Sequence, residues 1–288
     1  MTKKGWLLFL AMAFIWGIPY LLIRVAVRDV APGIVVFART APAALLLLPL
    51  VVRRGQLRLI RAHLPWIFMF GVVEFGVPWF IMSTAEQHIT SSLTSLIICA
   101  VPLFSLVLTR FTSQRESVTL RRVLGLLCGA VGVALLVGLD LGHGSGPWIA
   151  LMGIVCVGYS IGPIILATKL VEVPGPAIVC GATGMVAFCW LPYTLMHLPH
   201  HLSLKDFGCL STLSVVCTAG AFLTFFALIK ESGPSRSVVV VYSNTAIAVM
   251  LGVAFLHETL TLGILLGFPF IVAGSYFGTS KSAALSNH

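Results

Sequence analysis

The sequence predicts an all-α integral membrane protein, with ten transmembrane helices arranged as two inverted five-helix repeats and both termini cytoplasmic. Three observations predict it: an apolar composition, spans of about 20 apolar residues along the whole chain, and an internal repeat offset by about half its length. Of 288 residues, 58% are hydrophobic and 9% are charged, against roughly 25% charged in a soluble domain. The spans lie near 5–26, 32–52, 65–87, 91–110, 122–139, 147–169, 175–197, 207–229, 236–256 and 260–279. The remaining connections leave no room for an extramembrane domain, so function is expected inside the bundle.

The first span follows MTKKGWLLFLAMAFIWG. A signal peptide shares that basic start and apolar run, but here the run continues past Pro19 to Arg24 and no A-x-A site follows, so it is read as a spanning helix. Trp16, Tyr20 and Arg24 recur at helical spacing along one face, and Gly17 and Pro19 are read as a break. The second span carries Arg39 deep within it. The third holds FGVVEFGVPWFIM, in which Glu74 lies about 14 Å from the cytoplasmic end at 1.5 Å per residue, close to the midplane. Pro78 and Met82 follow on its face, and Phe75 and Trp79 flank it. Pro102 interrupts the fourth span. The sixth has Tyr159 and a second break at Gly162 and Pro163, and the ninth has Tyr242, Ser243 and Asn244. Glycines in the fifth span (Gly125, Gly129, Gly132) and the tenth (Gly263, Gly267, Gly274) suit close helix packing, as scaffold or a dimer face.

A shift of 142 residues aligns RESVTLRRVLGLLCGAVG, from Arg115, with HETLTLGILLGFPFIVAG, from His257, setting Glu116 on Glu258 and Gly125 on Gly267. A shift of 143 or 144 aligns WGIPYLLI with YSIGPIIL, so Tyr159 is the counterpart of Trp16. The halves are 1–140 and 141–288. Because five is odd, the second half enters from the opposite side. The charges set the orientation: of 18 Lys and Arg, only Arg24, Arg28 and Lys205 fall on the external side and Arg39 within a helix, so the positive-inside rule puts both termini in the cytoplasm. The net charge of +9 therefore reports orientation and implies no nucleic-acid partner.

Inverted repeats point to a secondary transporter with a site near the midplane, at helices interrupted in corresponding places of the two halves. Trp16, Tyr20 and Tyr159 offer flat apolar faces that also hold cations, although Trp and Tyr gather at membrane interfaces as well; Pro78, Trp79 and Met82 join Glu74 as candidate cavity residues, and Tyr242 adds a hydroxyl. Asn244 suits a zwitterion or an interhelical hydrogen bond. A carboxylate in hydrocarbon costs roughly 3 kcal/mol or more, so Glu74 needs a partner or a cavity. Three readings stand: an ion pair with Arg39, a contact to a substrate amine, or a proton carrier.

The seven cysteines lie in apolar helices without metal or disulfide spacing and read as packing residues. His197, His200 and His201 lack a fourth ligand at a recognised spacing, so no metal is expected. With no GxxxxGK[ST] loop and no clustered catalytic groups, the reading is a non-enzyme without cofactor. Its partners are small-molecule substrates and lipid, and it is a monomer or a homodimer. An intramembrane enzyme or a channel remains as an alternative.

Several stretches also carry a family resemblance: WG at Trp16 and Gly17, ITSSLTSLIICAVPLFSLVLTRF through Pro102, and Arg115-Glu116-Ser117-Val118-Thr119 with its repeat at His257 to Thr261. With these the chain resembles, over nearly its whole length, the drug/metabolite transporter superfamily, in particular the ten-helix EamA-type members, and among them the YddG-like exporters of aromatic amino acids. The resemblance implies export of amino acids and related metabolites by alternating access through a central cavity in the inner (plasma) membrane. An exporter of drugs or another metabolite class with the same fold is the alternative. One departure is Asn244, which stands where alignment with the fourth span puts Pro102, leaving the ninth helix less broken.

Overall fold

The computed structural model describes residues 2–109, 120–140, 145–199, 201–232 and 240–279, and no strand occurs among them. Glu116, Arg115 and His200 lie outside the described residues. Helix α1 (Lys3–Ala26) starts behind Thr2, whose hydroxyl accepts from the Gly5 amide, and α2 (Pro32–Arg53) starts on a proline, whose fixed φ suits a first turn. A short α3 (Leu57–Ala62) leads to α4 (Leu64–Gly71), a π-helical turn (Val72–Gly76) and α5 (Val77–Ala85), which together form one rod. Next come α6 (Ser91–Ile98) and α7 (Val101–Thr109), separated at Cys99 and Ala100, then α8 (Leu120–Asp140), α9 (Gly146–Lys169) and α10 (Gly175–Met196). A second rod consists of α11 (Leu204–Ser214), a π-helical turn (Val215–Gly220) and α12 (Ala221–Ser232), and α13 (Val240–Leu256) and α14 (Leu262–Thr279) follow.

Seven of the described helices are long and apolar enough to cross a membrane. Three shorter apolar stretches, Val123–Gly132, Val240–Leu256 and Leu262–Gly274, fall where the sequence places the fifth, ninth and tenth spans. The outside of the bundle is apolar too: Phe188, Met196, Leu45 and Phe255 are largely exposed. In water such a surface would drive aggregation, whereas lipid tails are as apolar as leucine.

The interior is built from helix pairs that cross the chain's midpoint: α2 packs on α10, α8 on α14, α1 on α13, and α9 on α5 and α7. Glycine sets how closely they approach. A β-carbon on Gly132 would lie 2.8 Å from the Gly267 carbonyl, and one on Gly274 would overlap the Gly129 backbone. These glycines therefore pack α8 against α14 within one chain.

The expected breaks in the first and sixth spans are corrected. Helix α1 runs unbroken through Gly17 and Pro19, and α9 through Gly162 and Pro163. Gly17 serves instead as a contact point, since a β-carbon there would sit 2.7 Å from Ile247 and 3.0 Å from the Asn244 carbonyl. Helical irregularity lies instead at the Cys99–Ala100 interruption and in the two π-helical turns. Pro78 has no N–H to offer the Glu74 carbonyl, and just before it Val77 donates to Val72, five residues back. In the second turn the Thr218 hydroxyl inserts into the ladder, donating to the Leu213 carbonyl at 2.9 Å. Such turns are frequent at functional sites.

Candidate substrate site in the bundle interior

Each π-helical turn delivers one polar group to the interior. In the first, Glu74 points at α9. Its Oε2 is buried without a hydrogen-bond partner among the described residues, and it fills the space that a β-carbon on Gly162 would need. One turn earlier, a β-carbon on Gly158 would lie 2.5 Å from the Val73 carbonyl and 3.3 Å from Pro78. The Gly158–Gly162 stripe thus lets α9 press against the turn that carries Glu74.

In the second turn, Thr218 accepts a hydrogen bond from Arg39 Nε at 3.1 Å. The guanidinium carbon stands 3.6 Å above the Trp79 ring, a cation–π contact worth about 2 kcal/mol when desolvated. The backbone is held as well, because Ser214 Oγ donates to the Arg39 carbonyl at 3.1 Å. Arg39 is 5% exposed. The expected ion pair between Arg39 and Glu74 is therefore corrected: no such pair forms among the described residues, and each group has other neighbours. Residue counting puts both groups well inside their helices, but their side chains turn to different elements, Arg39 to Thr218 and Glu74 to Gly162.

Tyr159 links the two charges, lying within electrostatic reach of both Glu74 and Arg39. Its hydroxyl donates to Met82 Sδ at 3.4 Å. Tyr20 is buried near Tyr159, Arg39 and Glu86. An aromatic chain continues from this centre: Trp79 to Phe75 with ring centroids 4.9 Å apart, Phe75 to Phe222 at 5.5 Å, and Phe222 to Trp16 at 6.2 Å. Trp16 thus joins the centre through the Phe222 ring. Asn244 is placed on the α1–α13 crossing, where its Oδ1 accepts from Thr245 at 3.3 Å, and Tyr242 packs against the core from α13. Pro102 is buried in the first turn of α7, just past the Cys99–Ala100 interruption. Pro163 is exposed on the outer side of α9.

Two groups escape a sequence reading, and a third, Glu258, is marked by the repeat without its role. Thr218 looks like an ordinary hydroxyl in an apolar run, although a shift of 143 sets it on Phe75, beside Glu74, and that is the available signal. Glu86 closes α5 and looks like a loop residue, yet it is fully buried, and neither carboxylate oxygen has a hydrogen-bond partner among the described residues. Arg24 donates to its backbone carbonyl. Glu258 folds back after His257, which has a left-handed φ of 55°, and its carboxylate accepts from Ser91 N at 2.7 Å, Ser92 N at 3.0 Å and Ser92 Oγ at 2.6 Å. It caps α6.

No group of three or more His, Cys, Asp and Glu side chains among the described residues could hold a metal ion, and the cysteines form no disulfide. A shallow apolar groove of about 410 Å³ between α4 and α10, lined by Leu64, Phe68, Met185 and Phe188, lies on the outer surface, away from these polar groups. The interior set brings together a fixed cation at Arg39, the unpartnered carboxylate oxygens of Glu74 and Glu86, and aromatic rings.

The chain is similar to several known membrane transporters. A transporter of Archaeoglobus fulgidus, described as uncharacterized, is 24% identical over 96% of this chain and 99% of its own. The uncharacterized transporter YoaV of Bacillus subtilis is 24% identical over 94% of each. The uncharacterized inner membrane transporter YedA of Escherichia coli is 25% identical over 87% of this chain and 82% of its own. One solved crystal structure matches with a TM-score of 0.68 at 16% identity, over 97% of this chain and 98% of that one, and shares the fold. The profile of the EamA-like transporter family matches residues 3–138 and 146–279. The chain is a multi-pass membrane transporter and belongs to the EamA-like transporter family, within the drug/metabolite transporter superfamily.

Proposed function

We propose that this transporter exports amino acids, chiefly aromatic and other neutral ones, together with related small metabolites, by alternating access through a central cavity, in the manner of the YddG-like exporters. The observation that carries this reading is Glu74 Oε2, buried against Gly162 without a hydrogen-bond partner among the described residues, in an interior that also carries the Phe75 and Trp79 rings. A buried charge is retained only where something compensates it. A substrate ammonium would do so while its side chain lies on the rings, and proton binding at Glu74 is the second way. We further propose ten spans in two inverted halves, 1–140 and 141–288, with both termini cytoplasmic, in the inner (plasma) membrane. The π-helical turns support the two halves, opening at Val72 and Val215, 143 residues apart.

The test is uptake of labelled amino acids into proteoliposomes, with and without a pH gradient. Phenylalanine and tryptophan are expected among the best substrates. Glu74→Gln should lower their transport at least tenfold while expression and monodispersity hold. Unchanged rate and pH dependence in that variant would remove Glu74 from both roles.

A further inference from the structure

We propose that Arg39 is the carboxylate anchor of the transport site, its two terminal nitrogens forming a paired hydrogen bond to the carboxylate of the substrate. The inference deepens the amino-acid reading and rests on it for the ligand's identity. Of the five N–H donors of a guanidinium, only Nε is engaged by protein among the described residues, at Thr218. One ring face lies on Trp79, and Ser214 ties down the backbone. The fork is thus held at its stem and face while Nη1 and Nη2 remain to bind. A guanidinium keeps its charge in the interior, so it needs an anion at some stage of the cycle. Tyr20, Tyr159, Cys217 and Glu86 surround it within electrostatic reach, and none of them makes an ion pair or a hydrogen bond with it among the described residues.

A carboxylate fits better than a phosphate for a reason of charge. Glu74 lies within electrostatic reach of Tyr159, as Arg39 does, and Glu86 lies within reach of Arg39, so the surroundings hold both a cation and carboxylates. A zwitterion meets both with opposite signs, whereas a phosphate dianion would leave excess negative charge in low dielectric next to Glu74. The fixed planar fork also matches the two oxygens of a carboxylate.

The test measures binding to purified protein of three ligands with the same indole ring: tryptophan, tryptamine, which lacks the carboxylate, and indole-3-propionate, which lacks the amine. The wild type should bind tryptophan about 30-fold or more tighter than tryptamine. Arg39→Gln should weaken tryptophan and indole-3-propionate by a similar factor and tryptamine less than about threefold. Thr218→Val, which frees Nε without removing the charge, should weaken the same two ligands severalfold. Equal binding of tryptamine and tryptophan by the wild type would overturn the anchor without any variant, and so would a uniform loss of all three ligands in Arg39→Gln. Arg39-dependent binding of indole-3-propionate without binding of tryptophan would end the amino-acid reading and leave the anchor standing. Failure of both carboxylates to bind overturns the two together.

Discussion

Gly162 has no side chain, and Glu74 Oε2 occupies the place where its β-carbon would be. That carboxylate is the far end of a flexible side chain, so Gly162→Ala moves the charged group and leaves the helices where they are. The expected result is a folded protein whose unfolding temperature falls by only a few degrees, with transport of aromatic amino acids reduced about tenfold. Gly158 is the control: the atom 2.5 Å from its added β-carbon is the Val73 carbonyl, which cannot swing away, and overpacking of this kind costs about 1–3 kcal/mol. Gly158→Ala should therefore lower stability first, and thermal unfolding of the two variants in detergent separates the cases. The sequence made Glu74 conspicuous because a charge in an apolar run needs a reason. It could not identify the neighbour, since depth along a helix follows from counting residues at 1.5 Å each while rotation about the axis depends on packing. For this reason Arg39 and Glu74 looked like a pair and are separate groups beside Tyr159.

At the scale of elements, the apolar spans were legible because a helix crossing hydrocarbon must be long and continuous. Their irregularities were not. Pro19 and Pro163 looked like breaks, yet α1 and α9 continue through them; neighbouring helices satisfy the freed carbonyls of a proline in a bundle. The two π-helical turns were invisible, because a turn widened by one residue leaves the apolar pattern nearly unchanged. Glu258 is an intermediate case. The repeat singled it out, and the structure gives its work: its carboxylate accepts the first two amides of α6, while Thr90 Oγ1 accepts from Leu93 at 3.2 Å. An anion at a helix start completes the unsatisfied N–H groups and opposes the helix dipole. Glu258→Ala should cost about 1–2 kcal/mol, or a fall of about 2–4 °C per kcal/mol in unfolding temperature for a chain of this size. Glu258→Gln, which keeps an acceptor, should cost less. Equal stability of the wild type and the alanine variant would show that the cap is not needed.

For the molecule as a whole, α1 is fastened at both ends. At its start, Thr2 Oγ1 donates to Glu231 Oε1 at 2.6 Å and Lys4 Nζ lies 3.8 Å from Glu231 Oε2. At its finish, Arg24 donates to the Glu86 carbonyl and Gln87 Nε2 to the Val27 carbonyl at 3.2 Å. In the alternating access proposed above one end loosens while the other holds, so these two clasps would bias that equilibrium in opposite directions. They differ in strength. Lys4 is a surface cation with 73% of its side chain exposed, and such pairs contribute about 0–1 kcal/mol. The Arg24 bond is charge-assisted and half-buried, worth about 1.5–3 kcal/mol. Its loss would therefore shift the equilibrium roughly 10- to 150-fold toward opening at that end. A reporter lies in place: Cys99 is fully buried at the α6–α7 interruption, within electrostatic reach of Tyr20, one helical turn from Arg24 on α1. Arg24→Ala should raise the rate at which a water-soluble maleimide modifies Cys99 by at least about tenfold, as read by peptide mass spectrometry, and Glu231→Ala should not. If Cys99 stays as slow in Arg24→Ala as in the wild type, the Arg24 contact does not hold that end shut.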